Sequence, residues 1–230
     1  MSLRVKNGSV AGGIILGLGL ALPAVGRAQT ELPVPEDWTW RLDGAQTLVR
    51  GQEVPAGSWR FVEMAPGWHM TTTSQGAQLF PKERLVRGRW GVRVELFLFP
   101  NPSDGELGVV VDDPGASPAG SRQLRFVMRR DGMAALLARH EGRDTLLLPW
   151  TSDSAVAAHD GKSVTKYELE LIHDGGWFTF QVNGREMLAL PGDPEHEARP
   201  GFRIGPGLNV HLSRYDLLTP LAPPRPRRSR

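Results

Sequence analysis

A period of two restricts this chain more than any other feature. From Trp90 to Leu98 every second residue is apolar, namely Trp90, Val92, Val94, Leu96 and Leu98, with Arg93 and Glu95 between them. Successive side chains of an extended strand point to opposite faces, so this run is a strand with one face in a core. The pattern returns at Leu124, Phe126 and Met128, at Tyr167, Leu169 and Leu171, at Phe178, Phe180 and Val182, and at Leu208, Val210 and Leu212. Asn101-Pro102, Asp131-Gly132, Asp160-Gly161, Asp174-Gly175-Gly176 and Asn183-Gly184 punctuate these runs. Asn-Gly and Asp-Gly supply the positive φ angles of tight hairpins. Met133 to His140 has some helix propensity, but after Asp131-Gly132 it suits the return strand of a hairpin. No fixed-period repeat is present, which argues against a propeller or solenoid. The expectation is all-β: a two-sheet antiparallel jelly-roll sandwich.

The ends differ from the middle. Arg4 and Lys6 precede an uncharged, largely apolar run from Val10 to Val25, and Gly26 and Ala28 place small residues at −3 and −1 of a cut after Ala28. That is the layout of an export signal, and the run is shorter than the ~20 apolar residues of a membrane span. Residues 1–28 are therefore read as a signal peptide, and the protein as exported, periplasmic or extracellular. A Pro-rich lead-in follows over 29–36, then the sandwich over 37–219, then a disordered Pro/Arg-rich tail over 220–230. No second apolar run approaches spanning length, so the mature chain is expected to have no membrane span.

Charge and cysteine content exclude whole classes. Of the net charge of +2, residues 1–28 hold +3 and the last ten residues +4, which leaves residues 29–220 at −5. Nucleic-acid binding draws on positive charge clustered on the folded domain, so nucleic acid is not an expected partner. With no cysteine there is no disulfide framework, thiol nucleophile or Cys-based metal site.

Motifs for chemistry are sparse. The phosphate loop, the dinucleotide fingerprint and the serine-hydrolase elbow are absent. The six histidines form no His-x-His or His-x-x-x-His pair. A glycosidase needs two carboxylates facing each other across the sugar. Glucanases on such sandwiches place them on one strand as Glu-x-Asp-x-x-Glu, whereas the strand here carries Glu95 alone, the weak catalytic candidate. Glu168 and Glu170 share a face beside Lys166 and fit a solvated outer face. Asp112-Asp113 and the loop at Asp193 are the weak metal candidates. Calcium takes six to eight oxygens from such loops, but neither cluster has the ligand spacing, so no metal or cofactor is assigned.

Seven tryptophans stand against two tyrosines. Sugars present flat C–H faces, and a Trp platform with nearby polar groups suits them. Trp68-His69 follows Pro66-Gly67 at a strand start and Trp150 lies near a strand end, so both are candidates for a groove. Packing accounts for Trp90 and Trp177, which adjoin strand starts.

The second half carries a resemblance. Tyr167 to Leu171, leading into Trp177-Phe178-Thr179-Phe180-Gln181-Val182-Asn183-Gly184, then Pro200 to Gly205 and Val210 to Leu217, resemble the closing strands of a concanavalin A-like lectin/glucanase domain. Gly91 to Leu98 followed by Asn101 to Gly105 is similar to the keto-disaccharide hydrolase-like branch. The resemblance covers roughly residues 37–218. It implies a concave sheet that takes a saccharide or polysaccharide, with Trp68, His69, Trp150, His211 and Arg214 as binding residues beside Glu95. The function expected is saccharide binding or processing, the alternative a non-catalytic structural or interaction module on the same fold.

Overall fold

The structure is a computed structural model. It describes residues 37–43, 47–48, 59–82, 84–113, 122–154, 156–174, 176–193, 195 and 197–219. The export signal, the Pro-rich lead-in and the Pro/Arg-rich tail lie outside the described residues.

In chain order the strands are β1 (Trp38–Leu42), β2 (Thr47–Leu48), β3 (Trp59–Glu63), β4 (Trp68–Thr72), β5 (Ala77–Pro81), β6 (Arg89–Leu98) and β7 (Leu107–Asp112). They continue as β8 (Gln123–Met128), β9 (Met133–His140), β10 (Arg143–Ser152), β11 (Thr165–Asp174) and β12 (Trp177–Val182). The last are β13 (Arg185–Pro191), β14 (Arg199–Ile204) and β15 (Asn209–Leu218). Among the described residues there is no helix, so none is long and apolar enough to cross a membrane. One sheet has eight strands in the order β10-β9-β8-β7-β14-β5-β1-β2, the other seven in the order β13-β12-β11-β6-β15-β4-β3. The pairings are antiparallel, as in a jelly-roll sandwich.

Hairpins form at Asn183-Gly184 and Asp131-Gly132, where the turn chemistry placed them, whereas Asp160-Gly161 lies between β10 and β11, which belong to different sheets. Asn183 (φ 51°) and Gly184 (φ 75°) both take left-handed angles between β12 and β13, the requirement of a two-residue turn that matches strand twist. Asp131-Gly132 leads into β9, a strand and not a helix. Glu141-Gly142 makes a similar turn from β9 to β10, with Glu141 at φ 49°, a tight turn that its sequence does not advertise.

The core lies between the sheets. Val92, Val94, Leu96 and Leu98 of β6, Tyr167, Leu169 and Leu171 of β11, and Phe178, Phe180 and Val182 of β12 are all buried in it. Leu107, Val109 and Val111 of β7, Phe126 and Met128 of β8, and Phe202 and Ile204 of β14 meet them from the eight-stranded sheet. Each such side chain contributes about 1.5–3 kcal/mol by leaving water. A bulge between Leu212 and Arg214 shifts the phase of β15. Val210 and Leu212 point inward before it, Tyr215 and Leu217 after it.

Candidate functional site

The outward face of the eight-stranded sheet is unusual because its middle is buried. Phe80, Val110, Val127 and Ala135 are buried although they stand outside the central cluster. Alternation therefore sends them, and the charged residues in phase with them, away from the core. Four carboxylates, Asp43, Glu106, Asp112 and Asp144, meet five guanidiniums there, Arg41, Arg125, Arg139, Arg199 and Arg203.

The strand register builds this network. Arg199, Asp112, Gln123 and Arg139 are paired residues on β14, β7, β8 and β9, and Arg139 faces Asp144 on β10. Asp112, only 1% exposed, accepts from Arg199 at 2.7 Å, from Arg41 at 3.3 Å and from the Gln123 amide at 3.0 Å. Gln123 also exchanges hydrogen bonds with Gln78 of β5 at 2.8 and 3.2 Å. Arg203 donates bidentately to Asp43 at 2.6 and 3.0 Å and through Nε to Glu106 at 2.8 Å. Arg125 reaches both oxygens of Asp144 at 3.3 Å, and Arg139 the same carboxylate at 3.2 and 3.3 Å.

Gly201 makes room for an aromatic floor. A Cβ there would stand 2.6 Å from the ring of Phe80, so only glycine lets that ring lie across β14. The guanidiniums of Arg41 and Arg199 sit over the ring at 5.3 and 5.0 Å. Their Nε atoms are buried and have no protein acceptor.

Electrostatics follow from this crowding. Burial, then the like charge of Arg203, pulls Arg125 down to about 10. Burial also opposes the charge on Arg203, but its bonds to Asp43 and Glu106 outweigh that and raise it. For Asp43, burial acts upward, and the bonds and charge of Arg203 overcome it, holding the carboxyl below its ordinary value.

Apart from Asp112, the residues picked from the sequence fall elsewhere. His69, Glu95, His211 and Arg214 do come together, on the outward face of the seven-stranded sheet, through the pairings His211↔His69, His211↔Phe97 and Arg214↔Glu95. The His69 and His211 rings lie 6.3 Å apart, with Phe99 at 4.9 Å from His69 and Phe97 at 6.1 Å from His211. Burial, with added like charge from His211 and Arg60, holds His69 low against the opposing effect of a hydrogen bond that its protonated ring donates to Asn209. Glu95 is gripped by Lys166 at 2.7 Å and Ser213 at 2.9 Å, and these bonds lower its pKa. Arg214 pairs with Asp216.

The two tryptophans do not join them. Trp68 turns toward the core, edge-on to Trp38 at 5.5 Å and stacked on Phe61 at 6.3 Å, because β4 sends Trp68, Met70 and Thr72 to the inner face. Trp150 belongs to edge strand β10 of the other sheet, with the Arg129 guanidinium 4.2 Å over its ring. Trp177, expected to be packed, is 53% exposed, while its neighbour Phe178 takes the core position. Of the metal candidates, Asp112 is neutralised by arginines, Asp193 accepts the Glu195 N–H, and no cluster of three potential ligands exists among the described residues.

The buried outward network escaped the reading of the sequence. One signal was present: Leu107 to Val111 is apolar at every position, as in a strand covered on both faces. A strand of that kind implies that in-phase residues of its neighbours, such as Arg125 and Arg203, are covered too.

Solved structures resemble this chain in fold. The carbohydrate-binding module CBM66 from Bacillus subtilis matches with a TM-score of 0.53 at 7% identity, over 70% of this chain and 96% of that one. The carbohydrate recognition domain of Emp46p in its potassium-bound form matches at 0.53 and 10% identity, over 81% and 90%. A Bacillus subtilis protein with a galectin-like fold matches at 0.52 and 14% identity, over 78% and 88%. The fold is a concanavalin A-like sandwich. No family model matches the chain, and no curated protein matches it in sequence. Such a sandwich offers two outward faces, and among the described residues that of the eight-stranded sheet holds the larger set of buried polar side chains, Gln78, Asp112, Gln123, Arg125 and Arg203, against His211 on the other.

Proposed function

We propose that this protein is an exported saccharide-binding domain whose groove is the outward face of the eight-stranded sheet. The observation that carries the proposal is the preorganised floor. Asp112, Gln123, Arg125, Arg203 and Gln78 are each at most 4% exposed, and the hydrogen-bonded network locks their rotamers. Half-buried Arg199, Arg139 and Glu106, with exposed Asp144, form an accessible rim. Fixed donors and acceptors beside an aromatic floor are what a polyhydroxylated ligand needs, since little entropy is lost on binding. The carbohydrate-binding neighbours support this reading, and the basic–apolar–small pattern of residues 1–28 supports export.

Binding fits the site better than hydrolysis of the keto-disaccharide type. A glycosidase acid must hold its proton near neutral pH. Here each floor carboxylate is met by at least one guanidinium, and Asp43 is shifted the opposite way. A glycan array probed with the full chain tests the proposal, followed by calorimetry on Arg139→Ala. The expected result is a saccharide ligand whose affinity falls at least tenfold in the folded variant. Unchanged affinity would move the site off this face, and an array without any ligand would remove the saccharide reading.

A further inference from the structure

Beside the polar floor runs an apolar strip, and it exists because β10 is bulged twice. Arg139 of β9 faces Asp144 of β10, and the next pair on the same face is Leu137 and Leu146. Beyond it stand Ala135 and Met133, since Ala134 and Leu136 point into the core. β10 carries one extra residue between Leu146 and Leu148 and another between Leu148 and Thr151. A bulge leaves a residue unpaired and re-aims the side chains around it. Leu148 therefore packs against the core opposite Leu136, Leu146 keeps the outward phase, and Leu147 has no opposite residue on β9.

Leu146 is 49% and Leu147 44% exposed, and among the described residues they alone of the exposed large apolar side chains are chain neighbours. Leu137 and Met133 are half-buried beside them, and Pro149 is exposed. Trp150 stands at the far end under the Arg129 guanidinium, which also reaches the Met133 sulfur at 3.4 Å. At the rise of an antiparallel strand the strip runs about 14 Å from Leu137 to Met133. Contiguous exposed apolar surface marks contact sites. A second copy of the chain is a poor occupant. Two bulges and Pro149 interrupt the free edge of β10, and such features blunt an edge against strand addition.

We propose that the saccharide taken by this face carries an alkyl or acyl chain, which lies along the β9–β10 strip while the sugar sits over the polar floor. The inference rests on the saccharide reading and names the class of saccharide. Arg125 of β8 pairs in register with Leu137 and donates to Asp144, so the guanidinium network and the leucines share one boundary. Hydrogen bonds satisfy the floor, whereas Leu146 and Leu147 leave water only when something apolar covers them, and each methylene laid on them adds favourably. A chain tethered to a bound sugar reaches the strip as an intramolecular event, at a high effective concentration.

Calorimetry of the full chain with octyl β-D-glucopyranoside, methyl β-D-glucopyranoside and tetraethylene glycol monooctyl ether, all below micelle-forming concentrations, tests the assignment. The octyl glycoside should bind at least tenfold tighter than the methyl glycoside and than the sugar-free ether. Leu147→Ser and Leu146→Ser change exposed positions outside the core, and each should bring the octyl glycoside toward the methyl one. A second readout needs no variant: the methyl ¹³C resonances of Leu137, Leu146 and Leu147 should move with the octyl glycoside and stay still with the methyl glycoside. No binding of the octyl glycoside, equal affinities for the two glycosides, undiminished binding by the folded serine variants, or unmoved leucine methyls would each overturn the proposal and leave the saccharide reading to its glycan array. Ether binding as tight as that of the octyl glycoside would overturn the saccharide reading and this proposal with it. Sedimentation of the free protein as a dimer that Leu147→Ser dissociates would give the strip to a second copy, and would overturn the proposal too.

Discussion

The two outward faces of this sandwich arise from the same alternation and carry the same residue types, yet they differ in kind. On the eight-stranded sheet, Arg203 is 5% and Arg125 1% exposed in their side chains, and Asp112 and Asp144 each accept from more than one side chain. On the seven-stranded sheet, Arg93 is 37% exposed, Glu168 46% and Lys166 53%, in short local pairs. An ion pair in water is worth little, because solvation and screening compete with it. A buried charge depends wholly on its partner, so removing that partner is costly. The first face is thus a rigid polar surface and the second a solvated coat.

The largest effect that separates them is expected at Arg203. Arg203→Ala leaves Asp43 and Glu106 without their main donor in a partly buried setting, and should cost about 3 kcal/mol, the low end for a broken buried pair. The urea midpoint should fall accordingly with unchanged slope. A loss below about 1 kcal/mol would place this face in the class of ordinary surface pairs.

Acid sharpens the same contrast. The Asp43 carboxyl titrates below its unfolded value of 3.8, so its stabilising contribution is complete above that value. It is lost as pH falls through the lower folded pKa. Without Arg203 the main compensation for burial is gone, and only the charges of Arg125 and Arg139 still oppose it. The stability gap between the wild type and Arg203→Ala should therefore narrow as pH drops from 6 to 3, read from urea midpoints across that range. A gap independent of pH would show that the Asp43–Arg203 contact adds nothing electrostatically.

The sequence made one face far more legible than the other. Period two located β6, β8, β11 and β12, and Asn183-Gly184 located a hairpin, because strand alternation and turn geometry are local. Glu168 and Glu170 were legible as a solvated face for the same reason, and Arg93 is their partner. The buried network was not legible, since Arg203 and Asp43 are 160 residues apart and meet only once β14, β5 and β1 are adjacent. Trp68 was misplaced by one pleat. A tryptophan after a turn signals contact but not which side of the sheet it takes, and register decides that.

A smaller effect is expected at Arg93, whose partners are Glu170 at 2.9 Å and Glu168 at 3.9 Å. Arg93→Ala should cost no more than about 1 kcal/mol, and the difference should shrink further in 1 M salt. Arg203→Ala should keep most of its effect under the same salt, because buried pairs are screened much less. Equal salt sensitivity of the two variants would remove the distinction between the faces.

The smallest change is reserved for the residue the sequence offered as a catalytic candidate. Glu95 is half-buried on the seven-stranded sheet, tied to Lys166 and to Ser213 at the β15 bulge. Glu95→Gln removes the charge but keeps an oxygen that can accept from the Ser213 hydroxyl, so stability should change by no more than about 0.5 kcal/mol. Its depressed pKa means that the wild-type carboxylate stays ionised through neutral pH and has no proton to give. Saccharide affinity should therefore be unaltered in Glu95→Gln while it falls in Arg139→Ala. Calorimetry with one glycan on both variants decides between the faces. A loss confined to Glu95→Gln would transfer the groove to the seven-stranded sheet, where His69, His211 and Phe97 would be its walls.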